Sequence, residues 1–125
     1  MLPKPYRLSQ DKDIKTLFAH SKSVFVVTMG IKYRKNKLKN SRFAIAVGTK
    51  VSKKAVIRNK IRRQIREIIH KVLDRIVPGF DIMVLVRPSI KEKKFQEIEK
   101  EFQSLLKKAH LLEEVKEVSK QNEEY

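Results

Sequence analysis

The side chains best placed to do chemistry in this chain are cations. The run Arg58-Asn59-Lys60-Ile61-Arg62-Arg63-Gln64-Ile65-Arg66-Glu67 holds five basic residues in ten positions, four of them arginine. Arginine presents a planar fork of donors that matches phosphate bidentately and stacks on bases. At 100° per residue, Ile57, Ile61, Ile65, Ile68 and Val72 fall in one sector of a helical wheel. Asn59, Arg62, Arg63, Arg66 and His70 fall on the other side. One face therefore belongs to a core and the other is a rail of guanidinium groups. No Asp or Glu occurs from Ile14 to Arg66, so pairing cannot explain the excess charge. Helix starts ordinarily prefer acids, because their free N–H groups are partly positive. Here Lys53, Lys54, Arg58 and Lys60 crowd that end instead, and a bound phosphate would turn this cost into a gain.

Residues for bond-breaking chemistry are missing by comparison. His20, His70 and His110 lack metal-ligand spacing, and the chain has no cysteine, which removes thiolate catalysis and Cys-rich zinc sites. Asp11 and Asp13 are explained by stabilisation of a helix start. Three glycines in all argue against phosphate-cradling loops. We assign no catalytic and no metal-ligating residue, and expect binding.

The elements that must position the rail can be read along the chain. At 125 residues with 41% hydrophobic content, one domain with a single core is expected. A formal charge of +16 opposes compaction and makes sense beside a polyanion. The prolines at 3 and 5 suggest an extended arm. Ser9 is the expected cap of a short helix carrying Ile14, Leu17 and Phe18 to about Ala19. From Val24 to Tyr33 the residues favour strand, in a segment long enough to break in two. A basic turn follows from Arg34 to Ser41. A strand from Arg42 to Val47 puts Phe43, Ile45 and Val47 on one face and the small Ala44 and Ala46 on the other, which could admit a close helix. The long helix is predicted over Lys53 to Val77, stopped by Pro78-Gly79. The run Ile82 to Val86 is continuously apolar and reads as a central strand covered on both faces. Ser89 to Glu92 reads as a capping box opening a last helix with stripe Phe95, Ile98, Phe102, Leu105, Leu106, Ala109 and Leu112. Residues 113–125 carry five Glu and two Lys, an acidic stretch expected to be flexible beyond a domain of residues 1–112. The class is α+β, with helices covering a small sheet. No apolar run is long enough to span a membrane, and a soluble, cytoplasmic protein is expected.

The basic run resembles the signature of bacterial ribonuclease P proteins, usually Arg-Asn-Arg-x-Lys-Arg-x-x-Arg. Ala55-Val56 before it, Arg7-Leu8, Asp13 and Phe18 near the start, and Gly79-Phe80-Asp81 before the apolar strand match as well. The likeness covers about residues 6 to 112. Lys60 and Arg62 exchange the usual Arg and Lys, Lys50 aligns with a basic position ahead of the helix, and Ile14 replaces one of two usual aromatics. The resemblance implies an αβββαβα two-layer sandwich with a left-handed parallel crossover. It implies a subunit of ribonuclease P, whose RNA, with Mg²⁺, is the catalyst removing the 5′ leader from precursor tRNA. The partners implied are the catalytic RNA and precursor tRNA. Lys50, Lys53, Lys54, Arg58, Asn59, Lys60, Arg62, Arg63 and Arg66 would lie against RNA. A cleft between the sheet and the first helix would hold the leader, with Phe18 and Tyr33, and also Phe25, as stacking candidates.

Three rivals share part of this pattern. A ribosomal or other structured-RNA-binding protein would share the charge but does not require this order on one helix. Major-groove DNA binding lacks a preceding short helix at helix-turn-helix spacing. A membrane-surface role conflicts with the use of the helix's apolar face in the core. Neither DNA nor membrane is expected as a partner.

Overall fold

The computed structural model describes residues 2–113. The acidic stretch lies outside them apart from Glu113. A four-stranded sheet runs in the order β1-β2-β4-β3, with β1 Lys22–Phe25, β2 Met29–Lys35, β3 Arg42–Ala46 and β4 Phe80–Val86. β1, β2 and β4 pair antiparallel, while β3 and β4 are parallel and joined by the helix α2, Ala55–Val72. Two further helices are α1, Asp11–Ala19, and α3, Phe95–Lys108. This is the expected α+β order of elements. The segment from Val24 to Tyr33 does break in two, at a turn where buried Thr28 gives both its N–H and its hydroxyl to Glu101 of α3 (3.2 and 2.6 Å).

β4 is central because its side chains are apolar on both faces. Ile82 and Val84 face α2 and α3 in the main core with Ile31, Phe43, Ile65, Phe102 and their neighbours. Met83 points the other way, into a small cluster with Leu8 and Leu17 that Ile14, Ala44, Ala46 and Leu85 flank. The two alanines of β3 thus admit α1, as their size suggests.

Several boundaries differ from the sequence reading. The first residues are not an extended arm: Leu2 is buried, Lys4–Tyr6 form one tight turn, and the Leu8 N–H donates to the Phe43 carbonyl at 2.7 Å. Burial of Leu2 overrides the extended preference of the prolines. Gln10, not Ser9, precedes α1, with no side-chain cap, while Asp11 and Asp13 do occupy the first turn. α2 ends at Val72, not Val77, because the chain tightens over Leu73–Arg75 and Ile76 then pairs with Leu112. The proposed box at Ser89 is a tight turn, Pro88–Glu92, pinned by buried Ile90 and by the Ser89 hydroxyl on the Val27 carbonyl (2.7 Å). α3 starts later, where the Glu97 carboxylate accepts the Lys94 N–H at 2.9 Å.

Candidate nucleic-acid interface

α2 is held by its apolar seam. Ile61, Ile65, Ile68, Ile69 and Val72 are buried, which leaves the basic side chains at the periphery. Its first turn contains no acid and its start has no side-chain cap, although the Ser52 hydroxyl accepts the Lys54 N–H at 3.1 Å. Lys50, Lys53, Lys54, Asn59, Lys60 and Arg63 are exposed. Arg58, Arg62 and Arg66 are half-buried along the flank nearer β3. Arg58 donates to the Ser52 carbonyl (2.9 Å), which ties the loop before α2 to its second turn. Arg62 donates to the Asn59 side-chain oxygen (2.7 Å) and reaches back to the Val47 carbonyl (3.4 Å). The rail is therefore two flanks. Arg62 and Arg66 line a groove of about 320 Å³ with Arg7, Phe43, Ala44 and Ile45. Lys60, Arg63 and His70 look toward α3 and Phe95, and Arg66 borders this side as well, so it joins the two flanks. Among the described residues none of these cations forms an ion pair.

Among the described residues the ion pairs lie elsewhere: Lys71 meets Glu99 of α3 at 3.5 Å, and a structural network forms around Arg42. Asp81 on β4 accepts two bonds from Arg42 (2.9 and 2.8 Å) and one from the Asn36 side-chain amide (2.9 Å). Arg42 also meets Asp13 of α1 at 3.2 Å. Hydrogen bonding to Asp81 raises the pKa of Arg42, against the opposing effect of burial and with help from the charges of Asp81 and Asp13.

A second surface forms on the α1 face of the sheet, which α1 covers only in part. Phe18 and Phe25 are 52% and 44% exposed. The Lys32 ammonium lies 5.9 Å from the centre of the Phe18 ring, and the Arg87 guanidinium 4.8 Å from that of Phe25. Phe25 lies over Gly30, its partner in the sheet register. A Cβ at position 30 would stand 2.0 Å from the Phe25 ring, so only glycine accommodates it. Exposed aromatic rings beside cations can hold unstacked bases and their phosphates.

Tyr33 does not belong to this surface. Strand alternation sends its side chain to the opposite face from Lys32, where its ring centre is 6.3 Å from that of Phe80. Phe18 and Tyr33 therefore cannot line one cleft. Lys32 and Arg87, which the sequence reading passed over, are the residues that lie beside Phe18 and Phe25 on that face. The signal for Lys32 was present: it alternates with Ile31 and Tyr33 in a strand whose apolar positions face the core.

Fold and surfaces together define a small, strongly basic α+β protein whose α2 cations are left without ion-pair partners from Arg58 to Arg66 among the described residues. The Ribonuclease P family model matches residues 2–110. The chain is 32% identical to the ribonuclease P protein component of Cyanothece sp., over 90% of this chain and 98% of that relative. It is 36% identical to that of Clostridioides difficile, over 83% and 91%. The solved Staphylococcus aureus RNase P protein superposes with a TM-score of 0.78 at 30% identity, over 86% of this chain and 97% of that one. The Thermotoga maritima protein gives 0.75 at 33%, over 81% and 97%. The chain belongs to the ribonuclease P protein family, whose members are protein components of a tRNA-processing ribonucleoprotein. No helix among the described residues is long and apolar enough to cross a membrane.

Proposed function

We propose that the protein binds the RNA subunit of ribonuclease P through α2 and the loop before it, and holds the 5′ leader of precursor tRNA against the α1 face of the sheet. Lys50, Lys53, Lys54, Arg58, Asn59, Lys60, Arg62, Arg63 and Arg66 contact the RNA subunit. Phe18, Phe25, Lys32 and Arg87 hold the single-stranded leader by stacking and charge, without reading sequence. The observation that carries this reading is that none of these cations, from Lys50 to Arg66, forms an ion pair among the described residues; the pair α2 does make, Lys71 with Glu99 of α3 at 3.5 Å, lies beyond them near its C-terminal end. Charges left unpaired on a folded surface are available for phosphate, and binding then gains from counterion release.

The RNA, with Mg²⁺, performs hydrolysis of the phosphodiester, and the protein raises affinity and positions substrate. Both partners and the reaction occur in the cytoplasm. Adding the protein to a cognate catalytic RNA should speed leader removal most at low Mg²⁺, where phosphate repulsion is least screened. Efficient cleavage by metal-replete protein without RNA refutes this division of labour.

A further inference from the structure

A third cationic surface among the described residues lies on the α3 face of the sheet, at the end away from the β1–β2 turn. It is a cleft of about 710 Å³ whose lining includes Lys22, Tyr33, Lys35, Lys37, Phe80 and His110. Its floor follows from strand register. Lys22 on β1 is directly across from Tyr33 on β2, and Lys35 on β2 is directly across from Phe80 on β4. All four side chains share one face, so each aromatic ring has a lysine as cross-strand neighbour, at the close spacing of such pairs. α3 stops at Lys108, Ala109 and His110 form a wall of the cleft, and Tyr33 and Phe80 are half-buried where they pack against the main core.

The patch is held in place from beneath. The Asn36 N–H donates to the Gly79 carbonyl (2.9 Å), and its side-chain amide to Asp81 (2.9 Å) and the Asn40 carbonyl (3.2 Å). The Leu38 N–H donates back to the Asn36 side-chain oxygen at 2.7 Å. Lys37 sits in the left-handed region (φ 64°) within this braced turn. None of Lys22, Lys35 or Lys37 forms an ion pair among the described residues. The negative end of the α3 dipole, which would repel an anion, is met by Lys107 and Lys108.

We infer that this cleft is a second binding site for single-stranded RNA, separate from the α2 surface and on the opposite face of the sheet from the leader surface. Alternating rings and ammonium groups match a nucleotide chain, which offers a π-face and a phosphate at every step. An acidic peptide offers only the charge. The inference rests on the reading of the chain as an RNA-binding subunit, but not on where the leader lies.

The test uses the full chain and an oligouridylate of about twelve nucleotides, within the range such grooves cover. Affinity is measured by fluorescence anisotropy across salt concentrations for Lys22→Gln/Lys35→Gln and for a charge-matched control on another surface, Lys91→Gln/Lys100→Gln. Two lost phosphate contacts should flatten the log–log salt slope by about 1.4, and the control should keep the wild-type slope. Ultraviolet cross-linking with peptide mapping should place adducts on Tyr33 or Phe80. Equal slopes for the two double variants, with no adduct on either ring, overturn the inference. In parallel, Arg62→Ala/Arg63→Ala/Arg66→Ala is titrated with the RNA subunit. If that variant alone loses affinity, only the second site fails. If wild-type protein binds neither RNA, the RNA-binding reading fails with it.

Discussion

Gly30→Ala should weaken the proposed leader surface without altering any of the residues assigned to it. The added Cβ would stand 2.0 Å from the Phe25 ring, so the ring must leave its place over β2 and abandon the Arg87 guanidinium now 4.8 Å from its centre. Gly30 has no positive φ, so the backbone itself accepts alanine. The folding cost is bounded. Phe25 is 44% exposed and so buries about half its area. That amounts to roughly 100 Å², or about 2.5 kcal/mol at ~25 cal/mol per Å². Alanine returns about 0.5–1 kcal/mol relative to glycine in a strand. A net loss of about 1.5–2 kcal/mol leaves a domain of ordinary stability folded. Removal of one stacking ring costs about 1–3 kcal/mol per base, or about 5- to 150-fold in affinity. The assay compares leader-bearing precursor with mature tRNA on the reconstituted holoenzyme. Gly30→Ala should weaken binding of the precursor and leave mature tRNA unchanged. Phe25→Ala should do the same, and the double variant should be no worse than either, since both remove one stack. An undiminished preference of Gly30→Ala for the precursor, or effects of the two changes that simply add, refutes the reasoning.

Other outcomes follow from the same geometry. Arg62→Ala/Arg63→Ala/Arg66→Ala should keep the fold by circular dichroism but flatten the salt slope for a structured, duplex-rich RNA subunit by up to about 2.7, one counterion term per lost phosphate; an unchanged slope removes α2 from the interface. Asp81→Ala strands Arg42 and Asn36 and should cost about 3 kcal/mol in urea unfolding, because a half-buried cation loses its bidentate partner. Asp13→Asn, whose partner keeps Asp81, should cost under about 1 kcal/mol. Glu101→Ala leaves the buried N–H and hydroxyl of Thr28 without an acceptor and should cost about 1–3 kcal/mol, with faster hydrogen exchange at the β1–β2 turn.

The sequence carried the fold well where burial writes a pattern. Continuous apolar residues from Ile82 to Val86 announced a central strand, and the isoleucine seam announced α2, because two-sided and one-sided burial leave different periods. Element ends were less legible. Nothing local tells the chain to leave the helix at Val72; the cause is the pairing of Ile76 with Leu112, a contact made across the fold. The start of α3 was misread because Ser89 to Glu92 has the composition of a cap while Ile90 is drawn into the core. The α2 cations were legible as a rail because charge without carboxylates is visible in one dimension. The aromatic surface was not. Tyr33 looked as good a stacking residue as Phe18 until strand parity placed them on opposite faces, and Arg87 reaches Phe25 only because β1 and β4 flank β2.

The position of the few carboxylates explains why this surface stays positive. Asp13 and Asp81 both turn onto Arg42, where they join α1 to β3 and β4, so neither is free to neutralise the rail. The raised pKa of Arg42 has a definite sign. A cation whose folded-state pKa is raised contributes stability that is fully present below its unfolded value, and loses it only as pH rises through the folded value. For an arginine that window lies far above neutrality, so the titration of Arg42 adds no pH dependence near neutral pH. With Arg42 and Asp81 only 19% and 7% exposed, salt screens their pair weakly as well. A salt titration near neutral pH therefore leaves the scaffold intact and reports ions displaced from phosphates. Loss of RNA affinity at high salt should accordingly precede any loss of near-ultraviolet circular dichroism; simultaneous loss would mean that the interface and the fold draw on the same charges.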